Sequence, residues 1–166
     1  IGLEPHNWVT AWVAITDSNE KNGCMRMWSG SHKDNLKDHD QMFNEGNLLT
    51  RGQTINDVPE KKVKSLILKA GQMSLHHPKV VHGSELNKSD DRRIGFVIQS
   101  YIGTNVKQVL GKNSVQLARG VDNFNYHKKI GRPKSLMNNY DLKLKKEENN
   151  NLQEIFYRGS SKKGNY

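Results

Sequence analysis

The sequence predicts a mainly β protein with a barrel or sandwich core. Short segments rich in β-branched and aromatic residues recur along the chain at a spacing of roughly 8–12 residues, and turn residues separate them. The chain has 166 residues, of which 34% are hydrophobic, and this length suffices for one globular core. The pattern favours a barrel or sandwich over alternating strands and helices.

The first predicted strand covers residues 9–16, where β-branched and aromatic residues dominate. Residues 17–23 (DSNEKNG) have the composition of a turn, so 24–28 is interpreted as the return strand. A polar stretch from Gly30 to about Gly46 predicts a loop with a short helix. The remaining predicted strands are 48–55, 65–68, 72–76, 80–82 and 93–102.

The character of the chain changes after Gly103. Residues 104–166 carry 13 basic and 5 acidic side chains, and 141–158 is helix-like at its ends but weak in its middle. We therefore predict a core portion over 1–103 and a basic extension over 104–166 that packs on the core. The last residues, 159–166, are expected to be disordered.

The net charge of +9 raises the question of a nucleic-acid partner. The sequence has no glycine-rich phosphate loop, no Cys/His finger and no aromatic–basic stacking strip, so no nucleic-acid partner is expected. No segment approaches the ~18 apolar residues of a membrane span, so no membrane partner is expected. Cys24 is the single cysteine, which excludes an intrachain disulfide and favours a cytoplasmic location.

Two predicted strands have one apolar and one mixed face. Trp12 shares its face with Thr10 and Thr16, and the alternation of 93–102 places Tyr101 on the mixed face with Gly95 and Val97. In a sandwich the mixed faces would meet solvent. In a barrel with outer helices they would line a ligand cavity. The pattern leaves both alternatives open.

His82 and Arg93 form the most informative pair. His82 ends one predicted strand and Arg93 begins the next, eleven residues later, so pairing of these strands would direct both side chains to one side. A neutral imidazole ligates Fe(II), Zn(II) or Cu(II), and an arginine binds a carboxylate through two hydrogen bonds. The alternative is a strand-end histidine and a surface ion pair between Arg93 and Asp90 or Asp91.

The segment HGSELNKSDDRRIGF (82–96) resembles the C-terminal signature of the phytanoyl-CoA dioxygenase-like family of Fe(II)/2-oxoglutarate oxygenases. VTAWVAITDSNEKNGCMRMWSGSHK (9–33) resembles the central block of the same family, and RGVDNF (119–124) with Arg132-Pro133 resembles the tail of its bacterial members. The blocks occur in family order and cover most of residues 8–133. The resemblance implies a double-stranded β-helix, the jelly-roll or cupin-like fold, with flanking helices and a basic, partly helical tail.

The resemblance also implies roles for individual residues. His82 matches the distal metal histidine, and Arg93 matches the arginine that binds the C5 carboxylate of 2-oxoglutarate; Arg92 takes that place if the register differs by one. Ser84 matches a serine that helps to hold the carboxylate, and Trp12 matches an aromatic residue that lines the pocket. The implied cofactors and co-substrates are Fe(II), 2-oxoglutarate and O2.

The implied activity is hydroxylation of a small organic molecule, with conversion of 2-oxoglutarate to succinate and CO2. The alternatives are a related halogenase and a non-catalytic jelly-roll binding module that has lost its iron. The other two metal ligands of the family form a His-X-Asp motif before the tryptophan-bearing strand, so they are expected upstream of Ile1 and the chain alone is expected to be inactive.

Other histidines are given no ligand role. His32-Lys33-Asp34 has the literal His-X-Asp pattern, but it lies in the Gly-Ser-His-Lys segment, which does not bind iron in the family. His76 and His77 are interpreted as part of strand structure or of the cavity wall.

Overall fold

The computed structural model describes residues 2–42, 49 and 52–159. These residues form two compact units. The first, which we call the strand unit, comprises residues 7–42 and 53–102. The second, the tail unit, comprises the described parts of 1–6, 43–52 and 103–166.

The strand unit contains two three-stranded antiparallel sheets. The order of the first is β7-β2-β9 and that of the second is β6-β3-β8. A short antiparallel ribbon of β4 and β5 lies in the same unit. The bounds are β2 Trp8–Ala14, β3 Met25–Trp28, β4 Asp40–Gln41, β5 Gln53–Thr54, β6 Val63–Ser65, β7 Met73–His76, β8 His82–Ser84 and β9 Gly95–Ile102.

The core of the strand unit lies between the two sheets. Trp12 and Ala14 of β2 are buried together with Met25 of β3, and Met27, Leu66 and Leu68 pack against this cluster. Strand alternation then directs the other face of the first sheet outward. Its Met73 and Leu75 are exposed, as expected for that face. The protein is therefore mainly β, as predicted.

The prediction that 9–16 and 24–28 form a hairpin is wrong, because β2 and β3 belong to different sheets. The polar segment between them carries the chain from one sheet to the other. Asn19 Oδ1 accepts hydrogen bonds from the backbone N–H groups of Lys21 and Asn22, and Asn22 Nδ2 donates to the carbonyl of Asp17. These side-chain hydrogen bonds stabilise the turn, because the strands on either side of it do not pair with each other.

A β-bulge in β9 corrects the predicted faces of that strand. Val9 pairs with Tyr101 but Ala11 pairs with Ile98, so β9 contains one extra residue at this point. Ser100 has the left-handed φ of 59°. Because directly opposed residues share a face, Tyr101 lies on the outward face with Val9 and not on the face of Trp12.

Two other predicted strands, 48–55 and 80–82, differ in extent from the observed ones. Strand structure within 48–55 covers β5 alone, and residues 48, 50 and 51 lie outside the described residues. The segment predicted at 80–82 begins as a strand only at His82, because Val80 N–H closes a turn onto the His77 carbonyl. Residues 43–46 of the predicted loop and 160–166 of the predicted disordered end lie outside the described residues.

The tail unit holds one long helix and two small strand pairs. Helix α1 covers Asn139–Phe156 and is continuous where the sequence pattern is weak. Its N-cap is Asn138, whose side chain accepts from Asp141 N–H. Antiparallel β1 (Leu3–Glu4) and β10 (Lys107–Gln108) form one pair, and parallel β11 (Ser114–Val115) and β12 (Lys128–Lys129) form the other. Among the described residues, no helix is long and apolar enough to cross a membrane.

Candidate active site

His82 is oriented by its own backbone turn. Its Nδ1 lies 2.9 Å from the carbonyl oxygen of Val80, to which it donates in the tautomer that this contact selects. Nε2 then carries the free lone pair. A histidine that is held through one ring nitrogen and presents the other is the usual arrangement of a metal ligand. His82 opens β8 and is exposed.

Arg93 meets Ser84 across the two sheets. The Arg93 Nη2 donates to Ser84 Oγ at 3.4 Å, and the guanidinium carbon lies 5.8 Å from the centre of the Trp12 ring. Arg93 forms no ion pair with any described residue, so the surface pair with Asp90 or Asp91 is not observed. The guanidinium keeps its charge available for an anion.

The predicted pairing between the strands of His82 and Arg93 is wrong, yet the two residues belong to one region. β8 pairs with β3, while β9 pairs with β2. Residues His82 and Ser84 are two apart on β8 and share a face, and Arg93 reaches Ser84 from the end of the other sheet. The packing of the two sheets against each other, and not a hairpin, brings His82, Ser84 and Arg93 into one region.

Trp12 is locked in place by Gly95. Trp12 is 7% exposed and lies two residue pairs away from Gly95, which opposes Ala14 in the ladder. A Cβ on Gly95 would lie 2.5 Å from Trp12 Nε1 and closer still to Cε2 and Cζ2. Only glycine leaves room for the indole, so Gly95 determines where this wall of the site stands.

His76, which the sequence assigned to strand structure or to the cavity wall, lies in β7 beside His82. It is 6% exposed, its Nε2 lies 2.7 Å from Ser74 Oγ, and its ring centre is 5.8 Å from that of His82. Burial, and then the neighbouring His82, lower the pKa of His76 below its usual value, which favours the neutral imidazole. The sequence signal for this position is strand alternation, in which the polar Ser74 and His76 alternate with the apolar Met73 and Leu75.

The His-X-Asp sequence at 32–34 does not form a ligand pair in the structure. The carboxylate of Asp34 is 2.9 Å from Lys37 Nζ, and this contact lowers the pKa of Asp34. The ring of His32 faces that of His77 instead, with 5.4 Å between their centres. The expectation that this segment binds no iron stays a prediction.

The chemistry of these residues fits an iron site only in part. His82 offers a correctly oriented nitrogen ligand. Among residues 2–42, 49 and 52–159, no group of three His, Cys, Asp or Glu side chains could hold a metal ion. The part of the chain that the structure describes therefore presents the imidazole of His82 as a candidate ligand and, in the same region, the contacting side chains of Arg93 and Ser84.

Comparison with known proteins identifies the family. The family model described as phytanoyl-CoA dioxygenase (PhyH) matches residues 3–95. The chain belongs to the phytanoyl-CoA dioxygenase family. The matched segment contains all four residues of the candidate site: Trp12, His82, Ser84 and Arg93.

Relatives of known sequence and structure agree with this assignment. The human peroxisomal phytanoyl-CoA dioxygenase is 35% identical over 86 residues, which are 51% of this chain and 25% of the human protein. A probable alpha-ketoglutarate-dependent hypophosphite dioxygenase of Stutzerimonas stutzeri is 28% identical over 112 residues, covering 64% of this chain and 39% of that protein. The chain thus spans well under half the length of these curated relatives.

A solved structure supports the fold of nearly the whole chain. The non-heme monooxygenase ThoJ in its apo form superposes with a TM-score of 0.80 at 30% identity, covering 95% of this chain and 56% of ThoJ. This likeness confirms the predicted jelly-roll class. The two facing sheets of the strand unit are the part of that fold that the described residues form.

Proposed function

We propose that the whole protein is an Fe(II)- and 2-oxoglutarate-dependent dioxygenase that hydroxylates a small organic molecule and converts 2-oxoglutarate to succinate and CO2. Family membership supports the oxygenase class. One observation carries the proposal to this chain: Arg93 forms no ion pair with any described residue, contacts Ser84 and lies against Trp12, on the side of the strand unit that also holds His82.

Arg93 and Ser84 supply what the C5 carboxylate of 2-oxoglutarate needs. A guanidinium presents parallel N–H donors that match the two oxygens of a carboxylate, and the hydroxyl of Ser84 adds a further donor. The indole of Trp12 provides an apolar wall beside the guanidinium. This wall excludes water from one side of the charge pair, which strengthens the attraction between its members.

His82 is the residue of this chain that would hold the metal. When bound, iron supplies the activation of O2 and the oxidation of a C–H bond. The chain contributes orientation: the hydrogen bond from Nδ1 to Val80 keeps the Nε2 lone pair directed away from the backbone. Arg93 contributes the anchoring of the co-substrate at its opposite end.

The test is binding of 2-oxoglutarate to the whole protein by isothermal titration calorimetry, with Arg93→Met as the variant. Removal of a charge-assisted pair costs about 1.5–3 kcal/mol, which weakens the affinity by about 10- to 100-fold. Arg92→Met is the matched control, because it removes the adjacent, exposed guanidinium. We expect it to leave the affinity unchanged.

Three outcomes would contradict the proposal or its assignment. Absence of 2-oxoglutarate binding to the unmodified whole protein contradicts the co-substrate proposal. Equal affinity of the unmodified whole protein and its Arg93→Met variant contradicts the role of Arg93. A loss of affinity in Arg92→Met alone transfers that role to Arg92.

We also propose a small-molecule substrate and a cytoplasmic location for the protein. The family includes the enzymes named above, whose names point to small molecules. The location rests on the single cysteine, Cys24, which is buried and unpaired. Fractionation of cells that express the tagged protein tests the location, and recovery in a membrane-bounded organelle would contradict it.

A further inference from the structure

A serine hydroxyl is inserted into the ladder between β3 and β8, one residue before His82. Trp28 N–H donates to the Val81 carbonyl at 2.9 Å, which makes these two residues an opposed pair at the end of the ladder. In an ordinary antiparallel pair of this kind, Val81 N–H would donate back to the Trp28 carbonyl. Here Val81 N–H donates to Ser31 Oγ at 2.9 Å, and that hydroxyl donates to the Trp28 carbonyl at 2.9 Å.

This bridge lies in the interior of the strand unit. Ser31 is 1% exposed and begins a 3-10 turn, Ser31–Lys33, that follows β3. A hydroxyl can donate one hydrogen bond and accept others, and backbone groups of the two strands use both capacities. A hydroxyl between a donor and an acceptor keeps them farther apart than a direct hydrogen bond does, so the strands separate at Val81.

Residues 31–34, which we call the clamp, contact the loop before β8 at two further points. The rings of His32 and His77 lie 5.4 Å apart between their centres. Lys79 Nζ donates to the carbonyl of Asp34 at 2.7 Å. The literal His-X-Asp sequence, which forms no ligand pair, thus holds the loop that leads into β8.

The bridge also determines the direction of the carbonyl that orients His82. The Val80 carbonyl lies 2.9 Å from His82 Nδ1. This carbonyl and the Val81 N–H belong to one planar peptide unit, in which they point in opposite directions. Because the Ser31 hydroxyl holds the N–H end of this unit, it aims the carbonyl end at the imidazole.

We propose that Ser31 is a positioning residue for His82. Its hydroxyl fixes the peptide unit between Val80 and Val81, the carbonyl of that unit accepts from Nδ1, and Nε2 keeps the free lone pair that a metal ligand requires. This inference rests on the proposed function, because it takes His82 to be the metal ligand. It gives the clamp a role in the site that is not ligation.

The tautomer of His82 is the first readout and needs no metal. Nitrogen-15 NMR of the whole protein with labelled histidine measures it at about pH 8, where an ordinary imidazole is neutral. The spectrum of His82→Gln identifies the signals of His82 by their loss. The unmodified protein should carry the hydrogen on Nδ1. Ser31→Ala removes the bridge and frees the peptide unit to rotate, so we expect a mixture of both tautomers.

Three further variants separate positioning from a general loss of stability. Ser31→Thr keeps the hydroxyl and should keep the single tautomer. Ser18→Ala is the matched control, because Ser18 is also 1% exposed in the strand unit but its backbone pairs with Leu68. Ser31→Cys is nearly isosteric and has a weaker donor and acceptor, so it replaces Ser31→Ala should that variant fail to fold.

Metal affinity is the second readout, measured by calorimetric titration of the whole protein with Co(II). Loss of a group that orients a metal-binding histidine weakens metal affinity about 10- to 100-fold. Ser31 acts through one further peptide unit, so we expect Ser31→Ala to lie at the lower end of this range. Ser31→Thr and Ser18→Ala should bind Co(II) as the unmodified protein does.

The outcomes distinguish the inference from the function on which it rests. If Ser31→Ala keeps the hydrogen on Nδ1, or if Ser18→Ala changes the tautomer equally, the inference is wrong. Mixed tautomers in Ser31→Ala with unchanged Co(II) affinity also overturn it, because the hydroxyl then orients His82 without serving a metal. If His82→Gln binds Co(II) as tightly as the unmodified protein, the metal assignment of the proposed function fails, and the tautomer alone decides whether Ser31 positions His82.

Discussion

The substitution Gly95→Ala tests how tightly the wall of the site is built. A Cβ at this position would lie 2.5 Å from Trp12 Nε1 and nearer to two ring carbons, whereas carbon atoms in contact prefer 3.5–4.0 Å. Either the indole or the strand must move by about 1 Å or more. Trp12 is 7% exposed and packs on Ala14 and Met25, so the indole has little free space to enter.

The expected cost is that of an overpacked core, about 1–3 kcal/mol of unfolding free energy. Urea denaturation followed by circular dichroism measures it. Because the displaced indole lies 5.8 Å from the Arg93 guanidinium carbon, the affinity for 2-oxoglutarate should also fall. Gly131→Ala is the control, since a Cβ there meets no atom within 4 Å and its φ is not in the left-handed region.

The reasoning would be refuted by an unfolding free energy of Gly95→Ala that matches the unmodified chain within about 0.5 kcal/mol, the range of neutral surface changes. Such a result would mean that the indole has an alternative position of equal energy. A loss of stability with unchanged 2-oxoglutarate affinity would refute a narrower point, namely that Trp12 lines the co-substrate site.

Two further predictions concern charges away from the site. The ion pair with Lys129 at 2.9 Å and the backbone N–H of Asn125 hold the pKa of Asp122 at about 2, so its stabilising effect is complete above about pH 4 and is lost toward pH 2. Asp122→Asn should therefore flatten the fall of stability in that window in urea titrations, and an unchanged slope would contradict this. Arg26 pairs with the exposed Glu60 and Glu85, so Arg26→Met should cost under about 1 kcal/mol, and a loss of about 3 kcal/mol would show that the pairs act as buried ones.

Local pattern predicted much of the strand unit because half-buried strands carry their own periodicity. Strand β2 begins one residue before its predicted start and ends two before its predicted end, and β7 lies within the predicted 72–76. The strand pattern left open whether the face of Trp12 meets solvent or lines a cavity, and the structure buries Trp12 between the sheets. Tyr101 was misplaced, because a bulge changes the parity of every residue beyond it and has no reliable sequence signature.

The predicted helix illustrates the opposite kind of error. The middle of α1 contains three consecutive asparagines, Asn149–Asn151, which have low intrinsic helix propensity, yet the helix runs without a break to Phe156. Contacts from outside the helix compensate: Glu148 accepts hydrogen bonds from the backbone and hydroxyl of Ser114, and the buried Ile155 lies where a Cβ on Gly111 would stand. Propensity scales contain none of these terms.

The sequence by itself determined which residue types are available for chemistry and the order in which they occur: an imidazole at 82, a hydroxyl at 84, a guanidinium at 93 and an indole at 12. Only the tertiary structure decided that His82 and Arg93 approach from two different sheets, and that His76 stands beside them with Ser74. The physical reason is that alternation assigns a residue to a face of its own strand, whereas strand pairing and sheet packing, which depend on contacts between distant segments, decide which faces meet.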